Sequence, residues 1–206
     1  MESIKTKTIG GDLSYMAWIP NAIEVATIEE ADLVIFTGGE DVCPELYGHP
    51  THETTHYNKT RDLKEVEAFL NTIALSKPIL SICRGAQFIC AMAGGTLIQH
   101  QSHPAMHSIT TNDGKKILVN STHHQRQCLK HLLPDEYNLL AWAQALSPYS
   151  YEGDNNNNFE EKEVEVCYYN KINALAIQFH PEMFHCPLQG KEYALNLVNK
   201  LLKKEL

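Results

Sequence analysis

Two short stretches of the chain hold a candidate nucleophile and a candidate base: Ser81-Ile82-Cys83-Arg84-Gly85 and Gln178-Phe179-His180-Pro181-Glu182. In the first, a thiol stands at the corner between the apolar run around Ile79-Leu80 and a second apolar run that starts at Ala86. That pattern predicts a buried strand turning at once into a helix. The helix start would present unpaired N–H groups and a partial positive charge, which favour both a thiolate and an oxyanion. Small residues on either side permit the sharp turn, as in the G-x-S-x-G elbow, with Ser81 where a glycine would be expected. A cysteine closing a buried strand is equally the description of an inert core thiol, and the elbow alone does not choose between the two. A nucleophilic cysteine needs a base, and the base needs an orienting group. His180 directly follows a buried apolar run, and Glu182 lies two residues on, placed to hold the other ring nitrogen while Pro181 stiffens the exit.

The elements that must position these groups alternate between strand and helix, which argues for an α/β fold. Ile4 to Gly11 and Asp32 to Gly39 read as strands ending in glycines, with a short helical stretch near Tyr15-Met16-Ala17 between them. Residues 61–76 carry Leu63, Val66, Phe69, Leu70 and Ile73 at helical spacing, which predicts an amphipathic helix with those residues inward. Further strands are expected at Thr96–Gln99, Lys116–Val119, Tyr137–Ala143, Val164–Asn170 and Ala174–Phe179, and a C-terminal helix buries Leu195, Val198, Leu201 and Leu202. The polar stretch from Ser147 to Glu163, with four consecutive asparagines, reads as an exposed loop. Two glycine- or polar-rich loops end strands: Gly38-Gly39-Glu40-Asp41 and Asn120 to Gln125. Catalytic groups of open α/β sheets collect at such strand ends.

Composition narrows the class. With 206 residues, 43% hydrophobic and 20% charged, the chain reads as one domain spanning residues 1–206. A formal net charge of -8, with 17 Lys and Arg in no dense block, lacks the basic footprint of a nucleic-acid binder. No apolar run approaches the ~20 residues of a membrane span. The N-terminal residues lack the apolar core of a secretory signal, and the six cysteines form no CxxC pair, so reduced thiols in a cytoplasm are expected.

Taken together, the residues resemble the class I glutamine amidotransferases, most closely the peptidase C26 branch that contains the γ-glutamyl-GABA hydrolases. The resemblance is carried by Gly38–His49, Arg61–Glu67, Lys77–Gln99, Asn120–Gln125 and Ala176–Glu182, in the family's order and spacing. It implies a flavodoxin-like, mostly parallel sheet with helices on both faces. It also implies a Cys83–His180–Glu182 triad and an oxyanion hole from the backbone N–H groups of Arg84 and of Gly39 or its neighbour Gly38. Gln87, Ser121, Thr122, His123 and His124 are then the holders of the glutamyl α-amino and carboxylate groups.

The implied reaction is acyl transfer: Cys83 attacks the γ-carbonyl of glutamine or a γ-glutamyl amine, and water then frees glutamate from the thioester. No metal or organic cofactor is needed for this. The chain departs from the family pattern at Ser81, in a shorter segment before Gly38, and at Ser147–Asn158. By the resemblance, the Ser147–Asn158 stretch falls where selectivity for the end of the substrate is often set, so it and the shorter first segment leave the substrate open.

Three other readings have their own signals. A glutaminase subunit that passes ammonia to a separate synthetase would carry the same triad, and this chain has no Walker-type nucleotide motif of its own. A retired scaffold used for binding would have lost the triad, which is intact. The 11 histidines raise metal binding, but His49, His52, His56 and His100, His103, His107 have spacings that suit a metal only on helices, which Pro50 and Pro104 oppose. The expected partner is a small γ-glutamyl substrate, with neither nucleic acid nor membrane.

Overall fold

Leu33–Phe36, Ile79–Ile82 and Ala174–Ile177 lack the polar alternation of a half-exposed strand, and every residue in them is buried. Strands covered on both faces read this way, and these three form the centre of the sheet. The structure is a computed structural model that describes residues 3–102, 104–144, 149–151, 154–156 and 162–206. In chain order the elements are β1 (Ile4–Ile9), α1 (Ser14–Ala17), β2 (Ala22–Glu24), β3 (Leu33–Phe36), α2 (Lys59–Ala74), β4 (Ile79–Ile82), α3 (Arg84–Met92), β5 (Thr96–Gln101) and β6 (Met106–Thr111). They continue with β7 (Lys116–Asn120), β8 (Arg126–Cys128), β9 (Tyr137–Gln144), β10 (Tyr149–Tyr151), β11 (Asp154–Asn156), β12 (Lys162–Tyr169), β13 (Ala174–Ile177) and α4 (Leu188–Lys203).

A nine-stranded sheet runs in the order β2-β1-β3-β4-β13-β12-β9-β6-β7. Its first five strands are parallel, and the remaining four continue it antiparallel. Cores lie on both faces. One face packs Leu80, Ile82 and Ile177 against Tyr15 of α1 and Leu197 and Val198 of α4; the other packs Phe36 and Ile79 against Phe69 of α2 and Phe88 of α3. This is the α/β architecture with helices on both faces. Each such large apolar side chain contributes about 1.5–3 kcal/mol when fully buried. A smaller antiparallel sheet, β11-β10-β5-β8, adjoins it.

The helix α2 differs from its expected orientation. Leu63 is 59% exposed and Leu70 61% exposed, while the buried positions are Asp62, Glu65, Phe69 and Thr72. The helix is rotated because buried Arg84 of α3 takes both carboxylates, so charge pairing outweighs the apolar stripe. Asn58 caps it, its side chain accepting from the Arg61 amide at 3.1 Å. On α4, Val198 and Leu201 are buried as expected, joined by Ala194 and Leu197, with Leu195 and Leu202 half-buried.

Within the stretch expected as a loop, β10 and β11 pair antiparallel; residues 147–148, 152–153 and 157–161 of that stretch lie outside the described residues. No helix among the described residues is long and apolar enough to cross a membrane.

Candidate active site

Register decides what meets at the sheet edge. Phe36 pairs with Ser81 and Ile82 with Ile177, all in parallel strands. Cys83 is therefore one residue beyond β4, His180 three beyond β13 and Gly38 two beyond β3, all leaving the same carboxyl edge. Cys83 is the residue before α3 and sits at φ 54°, ψ -113°. A non-glycine residue held there costs about 1–3 kcal/mol and persists only where its surroundings over-determine it. They do: the Cys83 amide donates to Ile177 O at 2.8 Å, and its carbonyl accepts from the Gln87 amide at 3.1 Å. Ser81, in place of the expected glycine, fits because its buried hydroxyl donates to Leu175 O at 3.2 Å. Gly85 is constrained far more tightly, since a Cβ there would lie 2.2 Å from Phe36 O.

His180 is 3% exposed. Its Nδ1 is 2.6 Å from Glu182 Oε1, and its Nε2 side meets both the Cys83 thiol and Thr122 Oγ1, the latter at 2.7 Å. Burial alone would pull the imidazole pKa down; the hydrogen bonds to Cys83 and Glu182 outweigh it and push the value up to about 10. The ring is thus an imidazolium at neutral pH, with a proton at Nε2 on the side of Thr122 and Cys83. The backbone is held as firmly as the ring. Asn120 Nδ2 donates to His180 O and the His180 amide donates to Asn120 Oδ1, both at 3.1 Å, with Asn120 fully buried. Tyr15 closes the far side, its ring centroid 6.4 Å from that of His180. Burial and the nearby Glu182 and Cys83 hold the Tyr15 phenol above its ordinary range, so it stays neutral.

The Gly38–Asp41 loop is fixed by an ionic network whose inner members, Arg84, Asp62 and Glu65, are buried. Arg61 donates to Gly38 O at 2.8 Å, pairs with Glu40 at 2.6 Å and with Glu65 at 2.7 Å. Arg84, 1% exposed, pairs with Asp62 and Glu65 and donates through Nε to Glu40 O at 3.2 Å. Burial, with Arg61 nearby, pulls the Arg84 pKa down to about 10, which leaves the guanidinium charged at neutral pH. Gly39 sits at φ +145°, and a Cβ there would lie 2.0 Å from Arg61 Nη1. Arg84 therefore has two faces: its side chain anchors the loop, while its amide, at the first position of α3, has no intrahelical partner.

The loop after β7 lines the opposite wall. Ser121 is buried, Thr122 exposed, and His123 and His124 half-buried. His123 Nδ1 bonds Gln125 O at 2.8 Å, and Gln87 Nε2 donates to the same oxygen at 2.8 Å. His124 Nε2 meets Asp41 Oδ1 at 3.1 Å, which ties this loop to the Gly38–Asp41 loop. The histidines group by fold, not by sequence spacing. His52 and His100 stack with centroids 5.6 Å apart, His100 Nδ1 is 3.4 Å from His124 Nδ1, and His107 pairs with buried Glu165 at 3.0 Å. His103 lies outside the described residues, and among those described no group of three or more His, Cys, Asp or Glu is arranged to hold a metal ion. All six cysteines are buried, and none of them is in a disulfide.

Sequence reasoning missed Tyr15, the Asn120 clamp and the network of Glu40, Arg61, Asp62 and Glu65. The signals present were Asn120 opening its loop and the charged Arg61–Glu65 segment, but neither names its partner. A groove of about 1060 Å³ between β7, β9 and α4, lined by Asp113, Lys116, Tyr193 and Lys200, contains none of the residues above.

The family model for peptidase C26 matches residues 11–182. Protein NtpR of Enterococcus hirae is 30% identical over 186 residues, covering 78% of this chain and 70% of its own. The provisionally assigned glutamine amidotransferase-like protein YvdE of Lactococcus lactis subsp. lactis is 29% identical over 175 residues, covering 73% of this chain and 66% of its own. Among solved structures, a Thermoplasma acidophilum protein provisionally assigned as one component of a GMP synthase superposes with a TM-score of 0.60 at 19% identity, covering 98% of this chain and 94% of that one. A glutamine amidotransferase from Thermotoga maritima superposes with a TM-score of 0.59 at 14% identity, covering 100% and 86%. At these identities the two structures speak to the fold alone.

Proposed function

The chain belongs to the peptidase C26 family, and from that premise we propose that it hydrolyses a γ-glutamyl amide, glutamine or a γ-glutamyl amine, through a glutamyl thioester on Cys83. The observation that carries this reading is Cys83 at the start of α3, hydrogen-bonded to a buried imidazolium that Glu182 holds from behind. The Cys83 sulfur adds to the γ-carbonyl carbon, and the oxyanion so formed is met by the amides of Arg84 and Gly39. Each such donor is worth ~3–4 kcal/mol at the transition state. As the C–N bond breaks, the Nε2 proton of His180 passes to the departing nitrogen. Water then adds to the thioester carbonyl, gives a proton to Nε2, and the C–S bond breaks to release glutamate. Ser121, His123 and His124, with Gln87 behind them, hold the glutamyl end. Cysteines outside any disulfide suit a reducing compartment such as the cytoplasm.

A second reading is a glutaminase subunit that hands ammonia to a synthetase. Phe184, 94% exposed two residues beyond Glu182, favours it as a contact for another protein, as does the fold shared with the Thermoplasma protein. Purified protein mixed with glutamine and a panel of γ-glutamyl amines, beside Cys83→Ala, separates the readings by glutamate released. Cys83-dependent turnover of one γ-glutamyl amine over glutamine establishes a free-standing hydrolase. Labelling of Cys83 by a glutamine-analogue electrophile without turnover favours the ammonia-donating role, and neither result leaves a scaffold that binds without reacting.

A further inference from the structure

Nδ1 of His180 is committed to Glu182, so every proton that moves in the reaction passes through Nε2. That nitrogen has a second neighbour besides the nucleophile: the hydroxyl of Thr122, at 2.7 Å. The contact is built into the fold. Asn120 clamps the His180 backbone from two sides, and the Ser121 amide donates to Ala105 O at 2.7 Å, so the segment bearing Thr122 and the segment bearing His180 are locked together. Thr122 itself is exposed, whereas His180 is buried.

Resting on the reading of Cys83 and His180 given above, we infer that Thr122 is a positioning residue for the Nε2 proton, holding it toward the departing amine and away from sulfur. While the proton is on Nε2, Thr122 Oγ1 accepts it as a hydrogen bond and draws it off the line to Cys83. The thiolate then forms the S–C bond without recapturing the proton, and the proton goes to nitrogen as the C–N bond breaks. Once the amine has left, Nε2 is bare. The same hydroxyl oxygen then accepts a hydrogen bond from the incoming water, whose other proton passes to Nε2 as the water oxygen adds and the C–S bond opens. Nothing beyond water and substrate is consumed.

The leaving group distinguishes this role from a structural one. An alkylamine must be protonated to depart, whereas p-nitroaniline leaves with far less help. Thr122→Val keeps the shape and removes the hydroxyl; Thr122→Ser keeps the hydroxyl. Acylation rates measured on γ-glutamyl methylamide and γ-glutamyl p-nitroanilide should fall in Thr122→Val by about tenfold or more on the first and less than about threefold on the second, with Thr122→Ser restoring both. Equal losses on the two substrates, or no loss on either, overturn the inference. A second arm needs no turnover: the titration midpoint of His180, followed by NMR, should move in Thr122→Val and stay in Thr122→Ser. An unmoved midpoint in Thr122→Val overturns the inference too. If the wild type turns over neither substrate, the hydrolase reading fails, and the titration still decides the role of Thr122.

Discussion

On the nucleophile's side of the cleft the supports are charged and sealed: Arg84, Asp62 and Glu65 are each at most 2% exposed, and Arg61 ties them to the Gly38–Asp41 loop. On the histidine's side a single carboxylate, Glu182, holds the ring, and the other supports are amides and hydroxyls: Asn120 clamps the backbone and Thr122 touches the ring. The difference follows from what each side must do. The elbow and its oxyanion donors act by staying still, and a buried ionic network is stiff because any displacement exposes an unpaired charge to a low dielectric. The histidine must change protonation state twice per cycle, and its one carboxylate, Glu182, stabilises the protonated ring without the dense charge pairing of the elbow side.

The contrast between the two sides breaks most strongly at Arg84. Arg84→Leu leaves Asp62 buried without its cation and Glu65 with Arg61 alone, and a loss of about 3–5 kcal/mol in urea unfolding is expected. A loss below about 1 kcal/mol would mean that the network is not the anchor of the elbow. On the other side, Asn120→Ala removes two neutral hydrogen bonds to His180, so about 1–3 kcal/mol is expected, with a larger proportional fall in the rate of Cys83 labelling than in stability.

Protonation sharpens the contrast further. The folded-state pKa of His180, about 10, is raised above its ordinary 6.5. Its hydrogen bonds therefore stabilise the fold fully below about 6.5 and lose that contribution as pH rises through about 10. The stability gap between wild type and His180→Gln should shrink between about pH 6.5 and about pH 10.5, and a gap that widens over that range would contradict the assignment. The smallest effect belongs to α2. Leu63→Ser should change stability by no more than about 0.5 kcal/mol, because Leu63 faces solvent, as a pair of melting curves would show.

That last position also shows where the sequence stops being readable. The central strands were legible because a strand covered on both faces has to be apolar throughout, and the Cys83 elbow and His180-Pro181-Glu182 were legible because each is a local pattern. The phase of α2 was not, because hydrophobic periodicity counts Leu63 and Leu70 as core and cannot know that Arg84, 22 positions beyond Asp62, will draw two carboxylates inward. Asn120 and Tyr15 were hidden for the same reason: both meet His180, which is distant in sequence and reaches them only through the sheet. The strand β6, Met106–Thr111, was missed because its alternation of Met, Ser and Thr with His and Ile carries little apolar contrast. The histidines were grouped by spacing, whereas the fold brings together members from three separate segments.

Covalent capture decides whether Cys83 and His180 work as one reacting pair. A glutamine-analogue electrophile should label the protein once, on Cys83, leave the other five cysteines untouched, and fail to label Cys83→Ala or to label His180→Ala at a comparable rate. Labelling at a different cysteine, or an undiminished rate in His180→Ala, would contradict that pairing.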